Sequence, residues 1–133
     1  MTFSNISTWV LRLLAAVILL QTLFFKFTAA EESVYIFSQI GMEPVGRIGI
    51  GIMELIAAIL ILYPKTTPYG ALLAIGLMAG AIFFHITKLG IVVKTDGGQL
   101  FVYALIVLLA SIALLIIYRL QLLKSVKLLL KIN

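Results

Sequence analysis

The chain has 133 residues, 63% of them hydrophobic and 11% charged, with a formal net charge of +5. A soluble domain carries about 45–50% apolar and about 25% charged residues, and one domain of this length has too little interior to hide the excess. The numbers weigh against a soluble enzyme, a disordered chain and a disulfide scaffold, and the lack of cysteine removes thiol nucleophiles, disulfides, iron–sulfur clusters and cysteine-ligated metals.

A bilayer span needs about 20 mostly apolar residues. The first such segment runs over about 7–28. It lacks a positive n-region before Arg12 and is long, so it reads as a span rather than a cleaved signal peptide, although Thr28-Ala29-Ala30 resembles a cleavage site. Residues 29–44 break the pattern with Glu31, Glu32, Glu43 and Pro44. The second span covers about 45–63, a proline-bracketed turn (PKTTP, 64–68) follows, and the third span covers about 69–87, antiparallel to the second. A polar loop over 88–98 ends in Gly97-Gly98, and the fourth span covers about 99–118. β-Barrel strands alternate over about ten residues instead of running apolar for twenty. The expected fold is therefore all-α: an integral membrane four-helix bundle (1–118) with short loops and a basic tail (119–133).

Four spans place both termini on one side of the bilayer. That side carries Lys65, Arg119, Lys124, Lys127 and Lys131, with Arg12 near it and no acid. The other side carries Lys26, Arg47, Lys88 and Lys94 together with the loop glutamates and Asp96. The positive-inside rule favours cytoplasmic termini by a slim margin. The tail has lysines at helical spacing with leucines between, which fits an amphipathic helix on the interface; a frayed extension of span four fits equally. The charges are not interleaved with exposed aromatics in a polar context, so the bilayer, including anionic lipid, is the expected partner and nucleic acid is not.

Ionisable groups inside a span are costly and usually face protein or a wet cavity. Arg12, Thr22 and Lys26 fall on one face of span one, with Ala15 and Leu19 between. Arg12 and Lys26 lie near opposite ends, so each can snorkel or face inward; Lys26 sits within an interfacial FFKF cluster. Gln21 occupies another face and suits an interhelical hydrogen bond. Glu54 is the strongest signal: a carboxylate near the midplane is either protonated or paired. Its stripe is Arg47, Gly51, Glu54, Ala58, in which Arg47 is roughly 10 Å away along the axis, too far for contact. His85, the one histidine, shares a stripe with Ala74, Met78 and Ala81, and α-helical spacing puts Lys88 on its face. It reads either as a satisfied packing residue or as part of a site. Asp96 and Gln99 flank the start of span four on the same side.

Lys26, Arg47, Glu54, His85, Lys88, Asp96 and Gln99 thus belong to one half of the bundle. A carboxylate and a histidine in a mostly apolar pocket suit proton transfer, or hydrogen bonding to a carbonyl-bearing lipophile such as a quinone. One His and one Glu are too few for zinc, and bis-His haem ligation lacks its second ligand. Gly76 and Gly80 form a GxxxG, expected to bring helices together within the bundle or, less often, between copies in a homo-oligomer. Gly51, with Gly46 and Gly49, is expected to allow close packing at the head of span two.

Four short spans with LRLLAAVILL around Arg12, FFKF around Lys26, GRIGIGIMELIAAILIL around Arg47 and Glu54, GAIFFHITKLG around His85, and VKTDGGQL before the fourth span resemble the DoxX family over about residues 8–118. The resemblance implies a membrane subunit of a quinone-linked oxidoreductase, or a membrane partner of a redox-stress enzyme. Two other readings remain: a non-catalytic scaffold that anchors a partner through its loops or tail, and a small-solute transporter, which the lack of inverted repeats or broken helices disfavours.

Overall fold

Helix α1 (Phe3–Phe27) is buried along Arg12, Ala15, Ala16, Leu19 and Leu23, while Val10, Leu13, Val17 and Phe24 point outward. A helix apolar on every face, with only one stripe buried, is built for lipid on its other faces. The same holds for α3 (Val45–Leu62), α4 (Thr67–Phe84) and α5 (Gln99–Ile117). The computed structural model describes residues 3–131, with side chains from residue 5. Among them, four helices are long and apolar enough to cross a membrane: Asn5–Phe27, Val45–Leu62, Thr67–Leu89 and Gln99–Ile117. Their ends lie within two residues of the expected spans 7–28, 45–63, 69–87 and 99–118. No strand occurs among the described residues.

The four helices pack in a ring: α1 lies against α3 and α5, and α4 lies against α3 and α5. The shared core is rich in alanine (Ala15, Ala16, Ala57, Ala58, Ala71, Ala74, Ala104, Ala110), filled out by Leu19, Ile61, Val107 and Leu114. Membrane helices gain no hydrophobic drive from meeting one another, so small residues that let backbones approach closely take over that role.

The turn between α3 and α4 shows why its ends stay together. The Thr66 hydroxyl donates to the Leu60 carbonyl at 2.8 Å, and that of Thr67 lies 3.0 Å from both the Ile61 and Tyr63 carbonyls. These bonds satisfy acceptors that the end of a helix leaves open. One turn later the helices cross so tightly that a Cβ on Gly70 would lie 2.6 Å from the Ile61 nitrogen and 2.9 Å from the Ala57 oxygen.

Gly76 and Gly80 behave otherwise, which corrects the expectation that they pack helices within the bundle. A Cβ at either position meets nothing within 4 Å. The short turn clamps α3 to α4 at Gly70; beyond that point Ala74 and Met78 carry the buried face of α4, and Gly76 and Gly80 lie off it on the cavity wall. Gly51 does permit a close approach, because a Cβ there would come within 2.7 Å of the Phe27 ring.

Two helices lie outside the four spans. The segment 29–44, expected only as a break, contains α2 (Glu31–Gln39), with Glu31 and Glu32 in its first turn, where negative charge complements the helix dipole. The tail forms α6 (Arg119–Lys131), separated from α5 at Tyr118. The Gln121 side chain donates to the Lys65 carbonyl at 2.8 Å, so α6 lies beside the α3–α4 turn. None of its residues is buried.

Candidate functional site

Helix α2 is held over one end of the ring. Ser33 and Phe37, one turn apart, are buried beneath it. Lys94, in the loop before α5, stands 3.4 Å from the Glu31 carboxylate and 4.8 Å from the centre of the Tyr35 ring. Below α2 the helices enclose a cavity of about 450 Å³. Its walls come from Ile18, Thr22 and Lys26 of α1, Phe37 of α2, Ile50 and Glu54 of α3, Gly76, Leu77, Gly80, Phe84 and His85 of α4 and the turn after it, and Gln99, Tyr103 and Val107 of α5.

Glu54 is buried, and its Oε2 accepts from two α1 side chains: the Lys26 ammonium at 3.1 Å and the Thr22 hydroxyl at 3.3 Å. The 3–4 spacing that put Thr22 and Lys26 on one face of α1 is what brings both to a single acceptor. The pair is largely removed from water, and a buried ion pair holds only while both partners are present.

Arg47 serves a different purpose. Its Nε lies 2.9 and 3.0 Å from the two Glu43 carboxylate oxygens, and an Nη donates to the Lys26 carbonyl. It therefore fastens the end of α1 to the head of α3, satisfying a carbonyl in the last turn of α1. It does not line the cavity.

His85 begins a π turn (His85–Leu89) that ends α4. Its Nδ1 is 2.9 Å from the Gly90 oxygen. A carbonyl oxygen only accepts, so Nδ1 carries a proton in this contact and Nε2 is the ring nitrogen left to face a ligand. The ring meets Phe101 edge-on, with centroids 5.6 Å apart. The π turn also corrects the placement of Lys88. Wider i→i+5 winding breaks the α spacing that would align it with His85, and Lys88 is exposed, away from the cavity lining.

Asp96 lies outside the cavity and organises the loop before α5. Its carboxylate accepts from the N–H groups of Val93 at 2.9 Å, Gly98 at 2.8 Å and Leu100 at 3.4 Å. Burial opposes its ionisation, but the Gly98, Val93 and Leu100 N–H groups, with His85 nearby, hold the carboxyl below its ordinary pKa. Gln99 lies on the cavity wall and donates to the Tyr103 hydroxyl at 2.8 Å. Arg12 is remote from this cluster. It is buried near the chain termini, with its guanidinium 4.6 Å from the Trp9 ring centre and 5.3 Å from that of Tyr118. The structure thus brings Lys26, Glu54, His85 and Gln99 to one cavity and leaves Arg12, Arg47, Lys88 and Asp96 outside its lining.

Glu43, Ser33 and Phe37 did not stand out in the sequence. The Glu43–Arg47 pair carried a readable signal, an acid four residues before a base. Phe37 and Ser33 carried none, because a nine-residue helix in a polar connection has little periodicity to read. No three His, Cys, Asp or Glu side chains gather as a metal site among the described residues.

Four apolar helices ringed around an alanine core define an integral, multi-pass membrane protein. The family model described as DoxX-like matches residues 10–114, and the chain belongs to that family. No curated protein and no solved structure matches it at a significant level.

Proposed function

We propose that this protein is the membrane subunit of a redox, quinone-linked assembly, and that its cavity receives the head of a carbonyl-bearing lipophile. The Lys26–Glu54 pair, facing a cavity that also exposes His85 and is otherwise mostly apolar, carries this reading. A volume of about 450 Å³ lies within the range of small-molecule sites, roughly 300–1,000 Å³.

The donor set fits a quinone. An ammonium has three donors, so Lys26 can hold Glu54 and still offer a proton to a carbonyl oxygen. His85, with Nε2 as acceptor, suits the hydroxyl of the reduced form. When bound, a quinone would supply the electron-carrying chemistry, with a partner subunit as the other party to the transfer. Glu54, Lys26 and His85 would orient its head and hold protons at its oxygens, while Leu77, Phe84 and Val107 exclude water. The excess of basic residues at the end bearing the termini supports cytoplasmic termini in a bacterial inner membrane.

Decylubiquinone binding to the protein in nanodiscs tests the assignment, comparing wild type with Glu54→Gln and His85→Ala. Binding by wild type that weakens in both variants is expected. No binding, or equal binding in all three, removes the quinone reading.

A second reading, a scaffold for a partner protein, rests on α6, none of whose residues is buried in the chain's own fold. Deleting 119–133 should then release the partner from the membrane.

A further inference from the structure

Arg12 is 3% exposed, yet its Nε has no hydrogen-bond partner. No ion pair involving it occurs among the described residues. Four of the five acids are committed elsewhere, Glu54 to Lys26, Glu43 to Arg47, Glu31 to Lys94 and Asp96 to its loop, and the fifth, Glu32, lies on α2 at the other end of the bundle. The faces of the Trp9 and Tyr118 rings shield the charge but give the Nε–H no acceptor. A buried cationic N–H without an acceptor is costly, so the arrangement favours an anionic acceptor brought to Nε.

The position points to the source. Arg12 lies seven residues into the span that begins at Asn5, about 10 Å along the helix. Side chains on a helix lean toward its N-terminus, which carries the guanidinium back toward the lipid headgroups. Trp9 and Tyr118 stand at this level, as such residues do at membrane interfaces. Trp9 is 36% exposed and forms the outer cover of the site. The same end of the bundle carries Lys65, Arg119, Lys124, Lys127 and Lys131 and no acid. On α6 the lysines alternate with exposed Leu120, Leu123, Leu128 and Leu130, a pattern that pairs charge with apolar contact.

We propose that Arg12, beneath Trp9 and Tyr118 at the end of the bundle that bears the basic helix α6, forms a binding site for the phosphate headgroup of an anionic phospholipid. The guanidinium makes the charge-assisted contact, and the α6 lysines raise the local concentration of anionic lipid. The site is separate from the cavity at the opposite end, and it stands whatever that cavity binds.

The test uses the full chain in nanodiscs of phosphatidylcholine alone, or phosphatidylcholine with phosphatidylglycerol, followed by native mass spectrometry of the released protein and thermal unfolding. Wild type should retain phosphatidylglycerol above its share of the bilayer and unfold at a higher temperature in its presence. Arg12→Gln should lower that preference about tenfold, the size of a lost charge-assisted contact. Deleting 119–131 should remove only a salt-sensitive part. If Arg12→Gln does not fold, Arg12→Lys keeps the charge and should lose part of the preference, because an ammonium cannot make the bidentate contact. The proposal is overturned by a wild type without preference, by unchanged preference in the folded variant, or by inorganic phosphate in phosphatidylcholine discs reproducing the stabilisation. The last outcome would make the site one for a small free anion.

Discussion

The Lys26 ammonium lies 3.1 Å from Oε2 of Glu54, so the last turn of α1 and the middle of α3 are joined by an ion pair inside the bundle. Their side chains are only 15% and 6% exposed, which leaves little water to compensate for a missing partner. Lys26→Met should therefore cost about 3–5 kcal/mol by stranding the Glu54 carboxylate. Combining it with Glu54→Gln, which removes the stranded charge, should restore much of the loss. Unfolding of the two single variants and the double variant in detergent gives the coupling. Additive losses would show that the pair is not a unit.

Arg47 makes a more local bond between the same two helices. Its guanidinium contacts both Glu43 oxygens and the Lys26 carbonyl, in a geometry that a point charge cannot reproduce. Arg47→Lys should destabilise the protein by about 1.5–3 kcal/mol, the range for hydrogen bonds to charged groups. Because Arg47 does not line the cavity, ligand affinity measured at a temperature where the variant is folded should change little. A large loss of affinity without a loss of stability would place Arg47 in the site after all.

Much of the fold was legible because a span is a bulk property: twenty apolar residues outweigh any local exception, and the proline-bracketed turn left α3 and α4 only one arrangement. Lys26, Thr22 and Glu54 were also within reach, since helical spacing assigned Thr22 and Lys26 to one face and the midplane depth of Glu54 demanded a partner. The pairing between helices was not legible, because spacing orders residues along one helix and says nothing about which neighbour faces them. Lys88 was misplaced for a more specific reason. The π turn at His85–Leu89 changes the winding over five residues, and nothing in HITKL announces it. Gly76 and Gly80 satisfied a packing motif, but the packing occurs at Gly70, where the length of the turn and not the motif sets the distance.

The glycines of α4 make that difference measurable. At Gly70 the obstructing atoms are the Ile61 nitrogen, Leu60 Cβ and the Ala57 oxygen, 2.6, 2.8 and 2.9 Å from an added Cβ, and they cannot move without separating α3 from α4. Gly70→Ala should destabilise by about 1–3 kcal/mol, the usual cost of overpacking. Gly80→Ala meets open space and should be neutral or stabilise by up to about 1 kcal/mol through helix propensity. Gly80→Leu adds bulk at the cavity wall and should weaken binding of a long-chain ligand while the fold persists. Thermal unfolding of the variants together with ligand titration separates these effects, and equal destabilisation by both alanine variants would contradict the open space at Gly80.

Asp96 gives a prediction with a sign set by pH. Its carboxylate gathers the Val93, Gly98 and Leu100 N–H groups at the start of α5, so Asp96→Ala should cost about 1 kcal/mol at neutral pH, the typical value for losing a helix-capping acceptor. These N–H groups favour the charged form, and the folded-state pKa lies below the ordinary carboxylate value. A depressed carboxylate contributes stability that is fully present above its unfolded pKa and lost as pH falls through the folded one. The gap between wild type and Asp96→Ala should therefore hold through neutral pH and close on acidification below the ordinary carboxylate range. Asp96→Asn keeps an oxygen acceptor but no charge, so it should fall between the two at neutral pH and show no such closure relative to Asp96→Ala. Unfolding midpoints of the three proteins across this range decide the matter, and a wild-type advantage that persists undiminished into strong acid would assign the effect to shape rather than charge.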